Sequence, residues 1–140
     1  MKSIIFLFLL SILINVKSYC QQSDCGNLKA GMVLFRKGDS KISASGMFQL
    51  NKLGDDMRAN PNCKVSIEST ASGSKRDLQI SWNRTNQVIN YMVEKQGIDR
   101  ERFIFRYGQS GAFDVVNFRG TSNEEDGPSS VPAPFPHLRR

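Results

Sequence analysis

Apolar and polar positions alternate with a period of two over Lys64–Ser69, with Val65 and Ile67 facing one way and Ser66 and Glu68 the other. That pattern predicts a half-buried strand. The small polar run Thr70–Ser74 predicts a turn with exposed backbone N–H groups. From about Arg76 to Gln96, Leu78, Trp82, Thr85, Val88, Ile89 and Met92 recur at steps of three and four. This predicts one long amphipathic helix whose inward stripe has Thr85 as its single polar member, with Arg76 and Arg84 among the polar positions near the turn. Upstream, Gly31–Arg36 reads as a strand and Lys37–Ile42 as a loop. A helix capped by Ser43 or Ser45 runs to about Ala59, with Met47, Leu50, Leu53 and Met57 inward and Gly54 packed close to the sheet. Asn60-Pro61-Asn62 stops it. Downstream, Gly97 closes the long helix, Glu101–Tyr107 is a strand rich in aromatics, Gly108–Gly111 turns, and Phe113–Arg119 is the last strand. The order β-α-β-α-β-β predicts an α+β fold, a two-layer α/β sandwich with two helices on one face of a mixed four-stranded sheet.

Both ends differ in composition from this body. Residues 1–20 read as a secretory signal peptide: Lys2, an apolar run from Ile4 to Val16, and a polar exit at Lys17-Ser18. The run is short for a membrane span and no stop-transfer pattern follows, so the mature chain is expected to have no transmembrane span. Cleavage after Ser18, cleavage after Cys20 and a lipid on Cys20 all stay open. Residues 21–119 form the domain. Residues 120–140 hold four of the five prolines, an acidic cluster (Glu124, Glu125, Asp126) and a basic end. Too little apolar surface is available there to order the segment alone, so a disordered Pro-rich tail is expected, or else a docking motif.

Charge and cysteines narrow the setting. Losing residues 1–20 removes Lys2 and Lys17 and no acid from totals of 19 basic and 13 acidic residues, which leaves about +4. A mild basic excess suits an anionic partner, and without basic clusters interleaved with aromatics nucleic acid is not expected. Cys25 and Cys63 precede the first and second strands, and an oxidising compartment favours a disulfide between them over two separate thiols. No CxxC exists and the only histidine is His137, so neither a metal site nor a cofactor is expected. Catalysis is not expected either. Ser72-Gly-Ser-Lys75 fits a bare S-x-x-K, but the companion motifs are missing and no Ser or Cys outside the tail has a His for a base. Asp55-Asp56 reads as a solvated pair. The sequon Asn83-Arg84-Thr85 falls within the helix.

Thr70, then Asp77-x-x-Ile80-Ser81-x-x-Arg84-Thr85-x-x-Val88-x-x-Tyr91-Met92, resembles the core pattern of the OmpA-like carboxy-terminal domain, found in outer-membrane proteins, Pal-type lipoproteins and flagellar stators. Leu34-Phe35, then Leu50, Leu53 and Met57 before Asn60-Pro61, match its upstream pattern. Gly97-Ile98-Asp99 and Tyr107-Gly108-Gln109-Ser110 match its downstream segment. The resemblance covers roughly Met32 to Phe118.

It implies a non-catalytic periplasmic or outer-membrane-associated module that binds the diaminopimelate stem peptide of peptidoglycan. In the family an Asp in a "TD" pair takes the ligand's ammonium, and the Arg of "LSxxRA" takes its carboxylate. Arg84 stands at the Arg position, whereas the Asp position falls on Ala71, or on Ser72 if the shortened turn aligns differently. Asp77 or Glu68 could supply the lost charge. The ligand set implied is therefore Arg84, Asp77, Thr70, Ala71, Ser72 and Ser81. Arg84 has a structural alternative, an ion pair with Asp77 or Asp99. A domain that lost peptidoglycan binding and serves protein–protein contact in an envelope assembly, with the Pro-rich tail as the contact to another envelope protein, is the second reading.

Overall fold

A computed structural model describes residues 25–122 and 125–138. The signal peptide expected at 1–20 lies outside the described residues. Four strands and two helices follow in the predicted order: β1 (Gly31–Leu34), α1 (Ala44–Ala59), β2 (Val65–Thr70), α2 (Lys75–Glu94), β3 (Phe103–Gln109) and β4 (Val115–Gly120). Serines start both helices. The Ser43 hydroxyl accepts the Gly46 N–H and the Ser74 hydroxyl accepts the Asp77 N–H, each satisfying a donor that the first turn leaves free. Gly97, at φ 67°, lets the Ile98 N–H return to the Met92 carbonyl and end α2.

The sheet order is β1-β4-β2-β3. β4 runs antiparallel to both of its neighbours, while β2 and β3 are parallel because α2 crosses over between them. Paired residues share a face, so Val33, Val116, Phe118, Ile67 and Phe105 line one side together. Both helices cover that side: α1 comes down on Val33 through Gly46, and Trp82 of α2 stacks at a tilt on Phe105. The fold is thus the two-layer α+β sandwich expected. A register shift between Glu68 and Thr70 sets Thr70 opposite Gln109. Gly108 sits there at φ 69°, and a Cβ on it would meet Leu78 at 2.9 Å, so glycine alone fits both the backbone and the space.

Details differ from the expectation, each for a local reason. Met47 is 38% exposed, because Gly46, not Met47, makes the close contact with the sheet. Gly54 faces the Gln96 side chain at the end of α2, not the sheet. Four polar side chains of α2 are buried, Gln79, Ser81, Arg84 and Thr85, where only Thr85 was expected. Each is anchored by hydrogen bonds to protein partners, as buried polar groups generally are. Thr85 Oγ1 donates to the Arg106 carbonyl at 2.9 Å. Ser81 Oγ donates to the Ser69 carbonyl at 3.0 Å and accepts from the Gly108 N–H at 2.8 Å.

Cys25 and Cys63 form a disulfide that ties the N-terminal turn to the start of β2. The larger departure is the tail. Residues 125–138 are held as a strap, not left disordered. The Glu125 carboxylate accepts from Arg106 at 3.0 Å and from Arg119 at 2.7 and 2.8 Å on the open sheet face. The Pro128 carbonyl then accepts the outward Phe105 N–H of edge strand β3 at 2.8 Å. The Val131 carbonyl accepts the Trp82 indole N–H at 2.7 Å, and the Phe135 N–H donates to Gln79 Oε1 at 2.8 Å. Composition counts only the apolar surface a segment brings. This strap instead satisfies polar groups the domain presents, and extended proline-rich backbone has no internal hydrogen bonds to lose in doing so.

Candidate functional site

A cleft of about 460 Å³ opens where β2 ends and α2 begins, between the β1–α1 loop and the β3–β4 loop. Thr70, Ala71, Ser72, Asp77 and Arg84, five of the six residues implied by the sequence, line it. Ser81 does not. It is buried beneath, with its hydroxyl committed to Ser69 and Gly108. Glu68 lies on the opposite sheet face, where its carboxylate meets Arg119 at 3.1 Å and Arg106 at 3.8 Å, so it cannot supply charge here.

Arg84 organises the cleft. It is 3% exposed. Its Nε donates to the Asp39 carbonyl at 2.7 Å, and its Nη2 donates to the Arg36 carbonyl at 3.0 Å and to Asp114 Oδ1 at 2.7 Å. The guanidinium also lies over the Phe35 ring, 5.1 Å from its centre. The acid is thus Asp114, not Asp77 or Asp99; the Asp99 carboxylate instead accepts the Glu101 N–H at 3.0 Å. Three of the five guanidinium donors are used, and the two N–H of Nη1 meet no acceptor among the described residues. Asp114 is 34% exposed and holds φ 61°, a left-handed conformation that Asp tolerates better than most residues. The Phe35 N–H donates to its carbonyl at 2.8 Å, which fixes the β3–β4 loop to the end of β1.

The other wall is the β2–α2 turn. The Ser72 hydroxyl donates to Asp77 Oδ2. Hydrogen bonds from Ser72 and then Ser74 hold the Asp77 carboxyl below the ordinary carboxylate range, and Arg76 and Arg84 add to this. Thr70 Oγ1 donates to the Ala112 carbonyl at 2.5 Å and the Ala71 N–H to the Gln109 carbonyl at 3.0 Å, so the two loops close on each other. Gly38, Arg76 and Ile80 line it too, as do Lys37, Phe113 and Asp114, which were not anticipated from the sequence as site residues. Asp114 carried no sequence signal, because Arg84 reads as a polar position and Asp114 as part of the last strand, which in the structure begins just after it, at Val115. The lining thus carries Lys37, Arg76 and Arg84 against Asp77 and Asp114. A cleft with both signs of charge suits a ligand end that carries both an ammonium and a carboxylate.

The family model of the OmpA family matches residues 34–125. The chain belongs to the OmpA family. Among solved structures, it is similar to the OmpA-like domain of FopA1 from Francisella tularensis subsp. tularensis SCHU S4, with a TM-score of 0.53 at 17% identity over 66% of this chain and 72% of that one. At that identity the likeness speaks for the fold alone. No curated protein matches the chain. The OmpA-family match takes in Arg84 and Asp114 and stops at Glu125, where the strap begins its path around β3. Among the described residues no helix is long and apolar enough to cross a membrane, and no three metal-ligating side chains come together.

Proposed function

We propose that this OmpA-family domain is a non-catalytic peptidoglycan-binding module of the periplasm or outer membrane that takes a diaminopimelate-bearing stem peptide into the Arg84 cleft. The observation that carries the reading is the state of Arg84. A guanidinium that lines the cleft, anchored by three protein acceptors and with no acceptor for Nη1 among the described residues, is pre-organised for a carboxylate and loses little freedom on binding one. Lys37 and Arg76 reinforce it. Asp114 and Asp77 line the same cleft and provide the acid that position 71 lacks. The Cys25–Cys63 disulfide supports an oxidising compartment.

Co-sedimentation with purified sacculi tests the reading. The protein should pellet with the wall, and excess free diaminopimelate should release it; a protein that stays in the supernatant overturns the proposal. For the second reading, protein–protein contact, the Pro-rich segment is a poor candidate because its polar groups are engaged within the chain. Met32 and Leu34, 53% and 60% exposed on the open sheet face, are the feature that favours it.

A further inference from the structure

A second hollow, of about 510 Å³, adjoins the cleft and shares Gly38, Arg76 and Ile80 with it. Its outer wall is the closing turn of the strap, with His137 and Leu138, and its floor is the Arg76–Ile80–Asn83 stripe of α2. We propose that this groove is a second subsite, built by the strap, that takes a carboxylate-bearing residue next to the group held in the cleft.

The polar groups are set by a chain of hydrogen bonds with only one sense. The Phe135 N–H can only donate, so the amide of Gln79, 1% exposed, must present Oε1 to it at 2.8 Å. Gln79 Nε2 must then donate, and it does so to Asn83 Oδ1 at 2.8 Å. Asn83, whose side chain lines the groove, is left with Nδ2 as its uncommitted end, a donor. Arg76 adds a guanidinium that donates to no described residue, and His137 adds an imidazole whose ring stands edge-on to Phe135. The carboxylate in the lining is Asp39, whose Oδ1 accepts the Ser40 and Lys41 N–H groups of its own loop. The groove therefore offers mainly donors, which match an anionic, acceptor-rich group. One buried glutamine both seats the strap and aims the asparagine, so wall and donor are parts of one construction. The strap lies past residue 125, where the OmpA-family match ends, while the floor of the groove lies within the match.

The inference rests on the cleft reading for its anchor, and the experiment separates the two. Isothermal titration of the full chain compares free diaminopimelate with a peptide in which a residue bearing a free carboxylate precedes diaminopimelate. The peptide should bind about tenfold tighter, the worth of one charge-assisted hydrogen bond. Asn83→Asp turns the uncommitted donor into an acceptor while still accepting from Gln79. It should erase that gain and leave free diaminopimelate unchanged. His137→Ala should reduce the gain in the same selective way. Equal affinity for the two ligands overturns the subsite while the cleft stands, as does an Asn83→Asp loss of the same size for both. Binding of neither ligand overturns the cleft and the subsite together.

Discussion

Replacing Asp114 tests whether Arg84 depends on the acid brought to it from the β3–β4 loop. The guanidinium is buried, and its only described ion pair is the 2.7 Å contact with Asp114. Breaking a fully buried pair by removing one partner costs about 3–5 kcal/mol, because a charge is left uncompensated in low dielectric. Asp114 is a third exposed, so water takes up part of the lost field and the cost falls to about 1–2 kcal/mol. Asp114→Asn should show that cost alone, because Asn keeps an oxygen for Nη2 and tolerates the left-handed backbone at φ 61°. Asp114→Ala should lose about 1 kcal/mol more, since alanine pays for the positive φ and offers no acceptor. Urea denaturation followed by Trp82 emission reads both values, and a domain of this size should drop roughly 4–8 °C in Tm per kcal/mol. An Asp114→Asn protein as stable as the parent would refute the pairing as a stabilising contact. Equal losses for Asn and Ala would refute the backbone part of the reasoning.

The strap and the disulfide make separate predictions. A Cβ at Gly127 would stand 2.5 Å from Ile104 Cγ2, so Gly127→Val should lift the strap at a cost of about 1–3 kcal/mol and red-shift the emission of Trp82, the single tryptophan. Glu125 has its carboxyl lowered first by the Arg119 hydrogen bond and also by the charges of Arg119 and Arg106. A depressed folded pKa contributes stability that is whole above the unfolded value near 4.5 and drains away as pH falls through the folded one. Strap release, read as a Trp82 shift below about pH 4.5, should therefore be steeper in the parent than in Glu125→Gln. Replacing Cys25 and Cys63 together by serine should cost about 3–4 kcal/mol, measured as the loss in denaturation free energy, because the bridge closes a separation of 38 residues.

The framework was legible where one force decides. Val88, Ile89 and Met92 at helical spacing, and Val65 and Ile67 at strand spacing, are buried because burial of apolar surface sets periodicity. The site was half legible. Thr70, Ala71, Ser72, Asp77 and Arg84 came from an ordered motif, and the structure gathers them at one cleft. Arg84 was placed among polar positions because hydropathy treats an arginine as a solvated residue; its burial depends on carbonyls at Arg36 and Asp39 and a carboxylate at Asp114, which only the fold brings near. Ser81 was read as a ligand group because it stands in the motif, yet its role is to bind α2 to β2 and β3. The strap was missed for the opposite reason. Beyond the Glu125 carboxylate, its contacts use backbone groups of Pro128, Val131 and Phe135, which are the same in any sequence and leave no trace in composition.

The most direct measurement of the central claim follows the Arg84 side chain by NMR while a diaminopimelate-bearing stem peptide is added to the full chain. The Arg84 guanidinium resonances and the amides of Ala71, Phe113 and Asp114 should shift together and saturate along one binding curve. Saturating peptide that leaves all of them in place would contradict the account.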